Sequence, residues 1–202
     1  MMFYLSRNQL YNETQHGFRK NRSTQTNLIE YYESLLHQLE CNQVVDSIYL
    51  DFSKAFDKCD HGIILDKLSA LGIAGKLLRW IEDFLRNRQQ MVVIKGHKSD
   101  PVQVTSGVPQ GSVLGPLLFL VLIYDITEGI TTSILTSFAD DTKVWKGISA
   151  DFDTQQLQND LVTIYSEAVA NNMQFNDKKF QAIRFHGMFK SGRELCNLKR
   201  LW

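Results

Sequence analysis

The feature that most constrains the fold is a pair of adjacent acids, Asp140 and Asp141, which separates two short apolar runs. The run at 134–138 precedes the acids, and the run at 144–145 follows them after one polar dipeptide. Two such runs joined by a short polar segment predict a tight β-hairpin with the acids at its tip. Paired acids at the end of a buried strand repel each other and are partly desolvated, which costs free energy. We therefore expect a cation or a basic partner to neutralise them.

Composition sets broad limits on the class of protein. The chain has 202 residues, of which 44% are hydrophobic and 22% charged, as expected for one globular domain or a domain with an appendage. Lys plus Arg and Asp plus Glu are both 22, so the overall charge excludes a strongly basic nucleic-acid binder and leaves only local basic patches. The 3 cysteines are far apart, which argues against a zinc site or a disulfide scaffold and favours a reducing compartment.

The same sequence argues against a membrane protein. The longest apolar run, residues 113–124, contains Gly115 and Pro116. It is shorter than the roughly 20 residues that a bilayer-spanning helix needs. The first residues lack the basic flank, long apolar core and small-residue cleavage site of a signal peptide. We expect an intracellular protein of the nucleus or cytoplasm that is not secreted and has no membrane partner.

Periodicity and turn signals predict a series of alternating helices and strands. The interleaving of helices with antiparallel hairpins favours the α+β class. In chain order the predicted elements are a helix from Ser23 or Thr24 to about 39, a strand at 44–52, helices at 60–71 and 75–86, paired strands at 91–95 and 102–105, a helix after the loop 106–112, the acidic hairpin, a helix at 151–170, and strands at 173–175 and 182–185.

A third acid lies at the end of another predicted strand. Alternation places Ile48, Leu50 and Phe52 on one face of the strand, so Asp51 points to the other face. If this strand lies beside the hairpin, the carboxylates of Asp51 and Asp140 come together. Hard oxygen ligands without nearby His or Cys favour Mg²⁺ or Mn²⁺ over zinc, and two such ions about 3.5–4 Å apart support phosphoryl transfer. Alone, an Asp-Asp pair at a turn is usually a solvated turn.

Several motifs, taken together and in order, resemble the reverse transcriptases of non-LTR (LINE-type) retrotransposons. The palm of that family is matched by residues 49–57, 105–119 and 138–141. A fingers motif is matched at 16–23, and the motif after the hairpin is matched at 172–179. The resemblance covers about residues 14–187. It implies a polymerase palm with an antiparallel sheet packed on helices, a partial fingers region and no thumb.

The resemblance also implies a division of the chain. We expect a partial fingers segment at 1–40 and the reverse transcriptase palm at 41–187. Residues 188–202 match nothing in the family, and we expect this tail to be poorly ordered.

The implied function is that of an RNA-directed DNA polymerase domain. Its partners would be an RNA template, a DNA primer and deoxynucleoside triphosphates, and its reaction a two-metal nucleotidyl transfer to the primer 3′-hydroxyl. Because the first fingers motifs and the thumb have no counterpart, we expect weak activity or none from the chain alone. Two alternatives stay open: a non-catalytic relic or domesticated module that binds nucleic acid or protein, and the polymerase of a group II intron. The wording of residues 51–57 and 112–119 favours the LINE type.

The resemblance assigns the catalytic residues one by one. Asp51, Asp140 and Asp141 match the metal-site aspartates of the family, and the backbone carbonyl of Phe52 would complete the shell around Mg²⁺ or Mn²⁺. Asp51 and Asp140 are the expected inner ligands, while Asp141 either joins them or supports them from outside. Lys179 is the expected general acid for departure of pyrophosphate.

The remaining assignments concern nucleotide and template binding. Phe56 would exclude ribonucleotides by a clash with the 2′-hydroxyl, and Gln110 with Gly111 would lie under the incoming nucleotide and the template base. Arg19 and Arg22 would grip the triphosphate, because guanidinium groups suit phosphate oxygens. Each assignment has a structural alternative: a core phenylalanine, a strand-to-helix turn and a solvated basic loop.

Overall fold

The chain folds into two units, each built from segments that are far apart in sequence. The computed structural model describes Tyr4 and residues 12–186. Among these residues, the helical unit comprises Tyr4 and 54–123, and the sheet unit comprises 12–53 and 124–186. The predicted tail at 188–202, and the poor order expected of it, lie outside the described residues.

The elements alternate between helices and strands, which confirms the predicted α+β class. The sheet unit contains α1 (Thr24–Glu40), β1 (Val44–Leu50), β6 (Ile134–Phe138), β7 (Asp141–Ile148), α5 (Asp151–Ala170) and β8 (Gln181–Phe185). The helical unit contains α2 (His61–Ala70), α3 (Gly75–Leu85), β2 (Gln89–Gln90), β3 (Val93–Ile94), β4 (His97–Lys98), β5 (Val102–Gln103) and α4 (Leu114–Leu122).

The sheet unit is organised around a four-stranded antiparallel sheet in the order β6-β7-β1-β8. The predicted hairpin is formed by β6 and β7. Its last pair joins Phe138 to Asp141, so that Ala139 and Asp140 form a two-residue loop. Ala139 has φ 57°. Two-residue hairpin loops require positive φ in their first central residue, a conformation that residues with a Cβ seldom adopt.

Strand β1 lies in the interior of this sheet. Leu50 pairs with Thr142 of β7, and Tyr49 pairs with Gln181 of β8. Ile48 and Leu50 are buried, in agreement with the predicted alternation. Since the sheet places β1 directly beside β7, the residue that follows β1 reaches the tip of the acidic hairpin.

Helix α1 covers one face of the sheet and begins where the sequence predicts. Ser23 caps its first turn by accepting a hydrogen bond from the backbone nitrogen of Thr26. The Tyr31 ring packs edge-on against Trp145, with 4.9 Å between ring centroids, and its hydroxyl donates to Ser47 at 2.9 Å. Trp145 is completely buried, so this contact forms the core between α1 and the sheet.

Two predicted strand assignments are wrong. Residues 91–95 do not pair with 102–105; instead β2 pairs with β5, and β3 pairs with β4. Lys95 and Gly96 have φ 48° and 85° and form a tight two-residue turn, whereas the sequence predicts a longer loop at 96–100. The predicted strand at 173–175 is reduced to one bridge between Phe175 and Phe52.

The loop that leads into β6 is held by a buried carboxylate. Asp160 of α5 is 2% exposed and accepts hydrogen bonds from the backbone nitrogens of Thr131 at 3.0 Å, Thr132 at 3.2 Å and Ser133 at 2.8 Å. Burial raises the pKa of Asp160, but these bonds outweigh burial and lower the pKa to about 2. The charged carboxylate therefore stabilises the start of the hairpin.

We expect the substitution Asp160→Asn to remove a pH-dependent part of the stability. Because the pKa of Asp160 is lowered in the folded state, its contribution is present above pH 4 and is lost as pH falls toward 2. This contribution is about 2 kcal/mol. Urea unfolding of both proteins at several pH values between 5 and 2 measures it.

The control is Asp151→Asn, which changes an exposed acid at the start of the same helix. The free energy of unfolding of Asp160→Asn and that of the unsubstituted protein should converge as pH falls. A difference that stays constant from pH 5 to pH 2 would contradict this role of the carboxylate.

Candidate active site

Asp51 and Asp141 lie at the same end of two paired strands. Leu50 pairs with Thr142 in the antiparallel register, so the next residue outward on each strand is an acid. Both acids line one cavity of about 510 Å³ in the sheet unit. Its other lining residues are Thr24, Asn27, Leu28, Tyr49, Leu50, Phe138, Thr142, Lys143, Lys179 and Gln181.

Asp140 occupies the hairpin loop beside this cavity without lining it. Its pKa is raised, first by burial and then by the negative charges of Asp141 and Asp51. A hydrogen bond from its own backbone and the positive charge of Lys179 lower the pKa, but they offset the increase only in part. The three carboxylates thus share one electrostatic environment, in which an added positive charge would stabilise the charged form of Asp140.

Lys179 supplies part of that positive charge. Its Nζ lies 3.0 Å from Oδ2 of Asp51, and its side chain is 63% exposed. The hydrogen bond and charge of Asp51, followed by the charges of Asp141 and Asp140, raise the pKa of Lys179. Its ammonium group is therefore a cation that accompanies the acids.

The donors at this end of the sheet fit a hard divalent cation in their chemistry, although they do not form a complete shell as they stand. Within Tyr4 and residues 12–186, no three His, Cys, Asp or Glu side chains converge closely enough to hold one ion. The available donors are the oxygens of Asp51, Asp140 and Asp141, with no sulfur or imidazole among them. Such a set suits Mg²⁺ or Mn²⁺ rather than zinc.

The backbone of Phe52 is oriented by its bridge to Phe175. On either side of Phe52, the nitrogen of Ser53 donates to the carbonyl of Gln174, and the nitrogen of Asn176 donates to the carbonyl of Asp51, both at 2.8 Å. In a pair flanked in this way the central residues do not bond to each other. The Phe52 carbonyl consequently points away from Phe175.

Lys143 also lines the cavity, although it is not among the site residues predicted from the sequence. Its Nζ donates to Oδ1 of Asn27 at 3.1 Å and lies 5.2 Å from the centroid of the Tyr31 ring. Burial lowers the pKa of Lys143, and the charge of Asp141 opposes this shift. The period of two along a strand puts Lys143 on the same face as Asp141, which is the signal that could have identified it.

Arg19 and Arg22 are engaged by acceptors of the protein itself. Arg19 donates to the carbonyl of Asn12 at 2.8 Å and pairs with Glu13 at 3.4 Å. Arg22 pairs with Glu30 at 3.3 Å and with Glu13 at 3.5 Å. Neither arginine is among the residues that line the cavity at Asp51.

Within the helical unit, the loop at 106–112 is fastened to the segment that follows β1. The nitrogen of Gly107 donates to the carbonyl of Cys59 at 2.8 Å, and its carbonyl accepts from Arg88 at 2.6 Å. Gly107 has φ 83°, and a Cβ there would lie 2.7 Å from the carbonyl oxygen of Asp57. Gly111 also has positive φ, but the space around it is open. Gly107 is therefore packed against the Asp57 backbone, whereas Gly111 faces open space.

The other two candidates in the helical unit have defined contacts. Gln110 is exposed and donates from Nε2 to Oδ1 of Asp57 at 2.7 Å. Phe56 is half-buried, with its ring centroid 4.7 Å from that of Phe119 in α4. Gln110 and Gly107 line a groove of about 900 Å³ that also carries basic side chains, namely Lys54, Lys58 and Arg88.

Comparison with known proteins defines the family to which this chain belongs. Residues 2–192 match the family described as "Reverse transcriptase (RNA-dependent DNA polymerase)". This chain belongs to that family. The predicted resemblance to LINE-type polymerases is confirmed by the relatives described next.

The relatives include polymerases of non-LTR elements. The RNA-directed DNA polymerase from mobile element jockey of Drosophila melanogaster is 32% identical over 179 residues, covering 85% of this chain and 19% of the relative. The probable RNA-directed DNA polymerase from transposon X-element of the same species is 28% identical over 178 residues, covering 86% of this chain and 20% of the relative. The chain thus spans about a fifth of the length of each.

A solved structure shares the fold. Telomerase from Candida tropicalis, determined in complex with a TWJ fragment of telomeric RNA, superposes with a TM-score of 0.66 at 13% identity. The match covers 89% of this chain and 32% of that chain. At this identity the similarity concerns the fold alone, and it agrees with the predicted palm.

In the described part of the chain, every helix is too short or too polar to cross a membrane.

We expect Asp51→Asn to lower the pKa of the Lys179 amine toward its ordinary value. The reason is that Asp51 is the largest cause of the upward shift. NMR titration of the Lys179 side chain measures the change, with Asp151→Asn as a control for loss of a carboxylate elsewhere in the sheet unit. An unchanged Lys179 pKa in Asp51→Asn would show that the pair does not persist in solution.

Proposed function

We propose that this chain provides the catalytic centre of an RNA-directed DNA polymerase, which extends a DNA primer on an RNA template with deoxynucleotides. The observation that carries the proposal is the arrangement of three acids at one end of the sheet. Asp51 directly follows β1, Asp141 begins β7, which pairs with β1, and Asp140 lies in the loop beside them. Membership of the reverse transcriptase family supports the same conclusion.

In this proposal Asp51, Asp140 and the Phe52 carbonyl hold Mg²⁺ or Mn²⁺, and Asp141 joins or supports them. The bound ions would activate the primer 3′-hydroxyl and stabilise the leaving pyrophosphate.

Lys179 has two roles that follow from its position. Its ammonium offsets the charge of Asp51 before substrate binds, and its raised pKa keeps it protonated so that it can donate a proton to pyrophosphate.

Nucleotide and template recognition is assigned residue by residue. Phe56 selects deoxynucleotides by a clash with the 2′-hydroxyl, and Gln110 with Gly111 supports the nascent base pair. Arg19 and Arg22 hold the triphosphate by exchanging Glu13 and Glu30 for phosphate oxygens. The basic groove that contains Lys54, Lys58 and Arg88 provides contacts to a nucleic-acid backbone.

The proposal includes the division of the chain and its cellular location. Residues 1–40 serve as part of the fingers, and residues 41–187 form the palm. The nucleus or the cytoplasm is the proposed location, because RNA templates and deoxynucleoside triphosphates occur there.

We expect Asp140→Ala to lower primer extension by at least about 100-fold, because the substitution removes a charged group from the reacting centre. The assay is single-turnover extension of a DNA primer on an RNA template, with excess protein and Mg²⁺. Asp66→Ala, which removes an exposed acid of α2, is the matched control and should leave the rate unchanged. Equal and measurable rates for Asp140→Ala and the unsubstituted protein would contradict the proposed function, as would extension that does not need a divalent ion.

We expect Phe56→Ala to relax discrimination against ribonucleotides by about 10- to 100-fold, because a bulky ring is then absent from the 2′ position. The measurement compares incorporation of each deoxynucleotide with that of its ribonucleotide. Phe84→Ala changes another half-buried phenylalanine of the helical unit and should not alter the ratio. If an active Phe56→Ala protein discriminates as well as the unsubstituted one, Phe56 is a core residue instead.

A further inference from the structure

The tip of the acidic hairpin is held by one buried side chain, Gln15. Its Oε1 accepts a hydrogen bond from the backbone nitrogen of Ala139 at 2.7 Å, and its Nε2 donates to the carbonyl of Ala139 at 3.1 Å. The same Oε1 accepts from the nitrogen of Gly17 at 2.7 Å. Gln15 is 5% exposed and Ala139 is 6% exposed, so water cannot readily replace these bonds.

The residue held in this way has a strained backbone. Ala139 has φ 57°, and it directly precedes Asp140. A residue with a Cβ enters this region at a cost, which the surrounding structure must offset. The Gln15 carboxamide bonds to both polar groups of the Ala139 backbone, and it therefore fixes the orientation of the peptide planes on either side. One of those planes carries the Asp140 backbone.

Neighbouring contacts place Gln15 accurately against the hairpin. The nitrogen of Ser137 donates to the carbonyl of Thr14 at 2.9 Å, and the nitrogen of His16 donates to the carbonyl of Ser137 at 2.8 Å. Gly17 packs so closely that a Cβ there would clash with the backbone nitrogen of Ala139. Residues 14–17 thus follow the outer side of β6 up to the loop.

We propose that Gln15 is a positioning residue that keeps Ala139 in its left-handed conformation and thereby directs the Asp140 carboxylate toward the other acids. This inference rests on the proposed function for its catalytic consequence, whereas the clamp itself can be tested without any activity. A long apolar side chain at this position would fill the space but would leave three backbone groups without a partner. Gln15→Met is therefore the informative substitution.

The first test is amide hydrogen exchange of the full 202-residue chain, followed by NMR. In Gln15→Met the Ala139 amide should exchange at least about tenfold faster, because its buried acceptor is gone. The Val144 amide, in the interior of β7, should keep its protection. Equal protection of Ala139 in both proteins would overturn the proposal. An equal loss of protection at Ala139 and Val144 would indicate general destabilisation and would overturn it too.

A conservative variant provides the rescue. Gln15→Glu keeps an acceptor but loses the donor while the introduced carboxyl is ionised. Protonation at low pH restores an O–H donor together with a carbonyl acceptor. Protection of Ala139, corrected for the intrinsic pH dependence of exchange, should recover as pH falls. Absence of recovery in a folded protein would contradict a clamp that depends on both bonds.

The control for the substitution is Gln158→Met, which makes the same chemical change in α5. Nε2 of Gln158 is buried without a hydrogen-bond partner, so its loss should not affect the hairpin. Ala139 exchange in Gln158→Met should equal that of the unsubstituted protein. A comparable acceleration in this variant would show that Ala139 responds to any loss of stability, and it would overturn the assignment to Gln15.

The second test addresses the direction of Asp140 through binding of Mn²⁺, measured by electron paramagnetic resonance without substrate. Gln15→Met should weaken Mn²⁺ binding by about tenfold, as is typical when a group that orients a metal ligand is lost. Unchanged affinity would overturn the effect on Asp140. If the unsubstituted protein binds no Mn²⁺, the proposed function fails while the exchange experiment still decides whether Gln15 holds Ala139.

Discussion

The antiparallel pairing of β1 with β7 is the constraint on which the candidate site depends. Its register puts Leu50 opposite Thr142, and the residues just beyond this pair are Asp51 and Asp141. A shift of one residue would move every side chain of β1 to the other face of the sheet. The contact between Tyr31 and Trp145 opposes such a shift, because Trp145 is completely buried and a shift would expose it. The packing of α1 on the sheet therefore also fixes the position of the acids.

The same arrangement accumulates negative charge that the fold compensates only in part. Lys179 pairs with Asp51, yet the pKa of Asp140 stays raised by burial and by the other two acids. In addition, the loop that carries Asp140 begins with a strained residue, Ala139. Charge repulsion and backbone strain at one place oppose folding, and a bound divalent cation would relieve the first of them. This pattern is more readily explained by catalysis than by stability.

Much of the fold was predictable from local signals, and the exceptions have physical reasons. Helix α5 occupies the predicted residues, and the hairpin tip is where the polar break predicts it. The β3–β4 turn was missed because Lys95, unlike Asn or Gly, gives no local indication of positive φ. The contacts of Gln15 with Ala139 escaped notice because they join residues 124 positions apart, and no periodicity encodes such a contact. The three acids were predicted from the sequence, whereas the side chains that position them are visible only in the structure.

Paramagnetic broadening by Mn²⁺ tests the central claim that the ends of β1 and β7 form a divalent-cation site. The ion is added at low concentration to the isotopically labelled chain, and NMR signals are followed residue by residue. The account predicts that signals of Asp51, Asp140 and Asp141 broaden first, and that excess Mg²⁺ restores them. Broadening centred elsewhere, or uniform weak broadening over the surface, would contradict the assignment of this end of the sheet as the metal-binding catalytic centre.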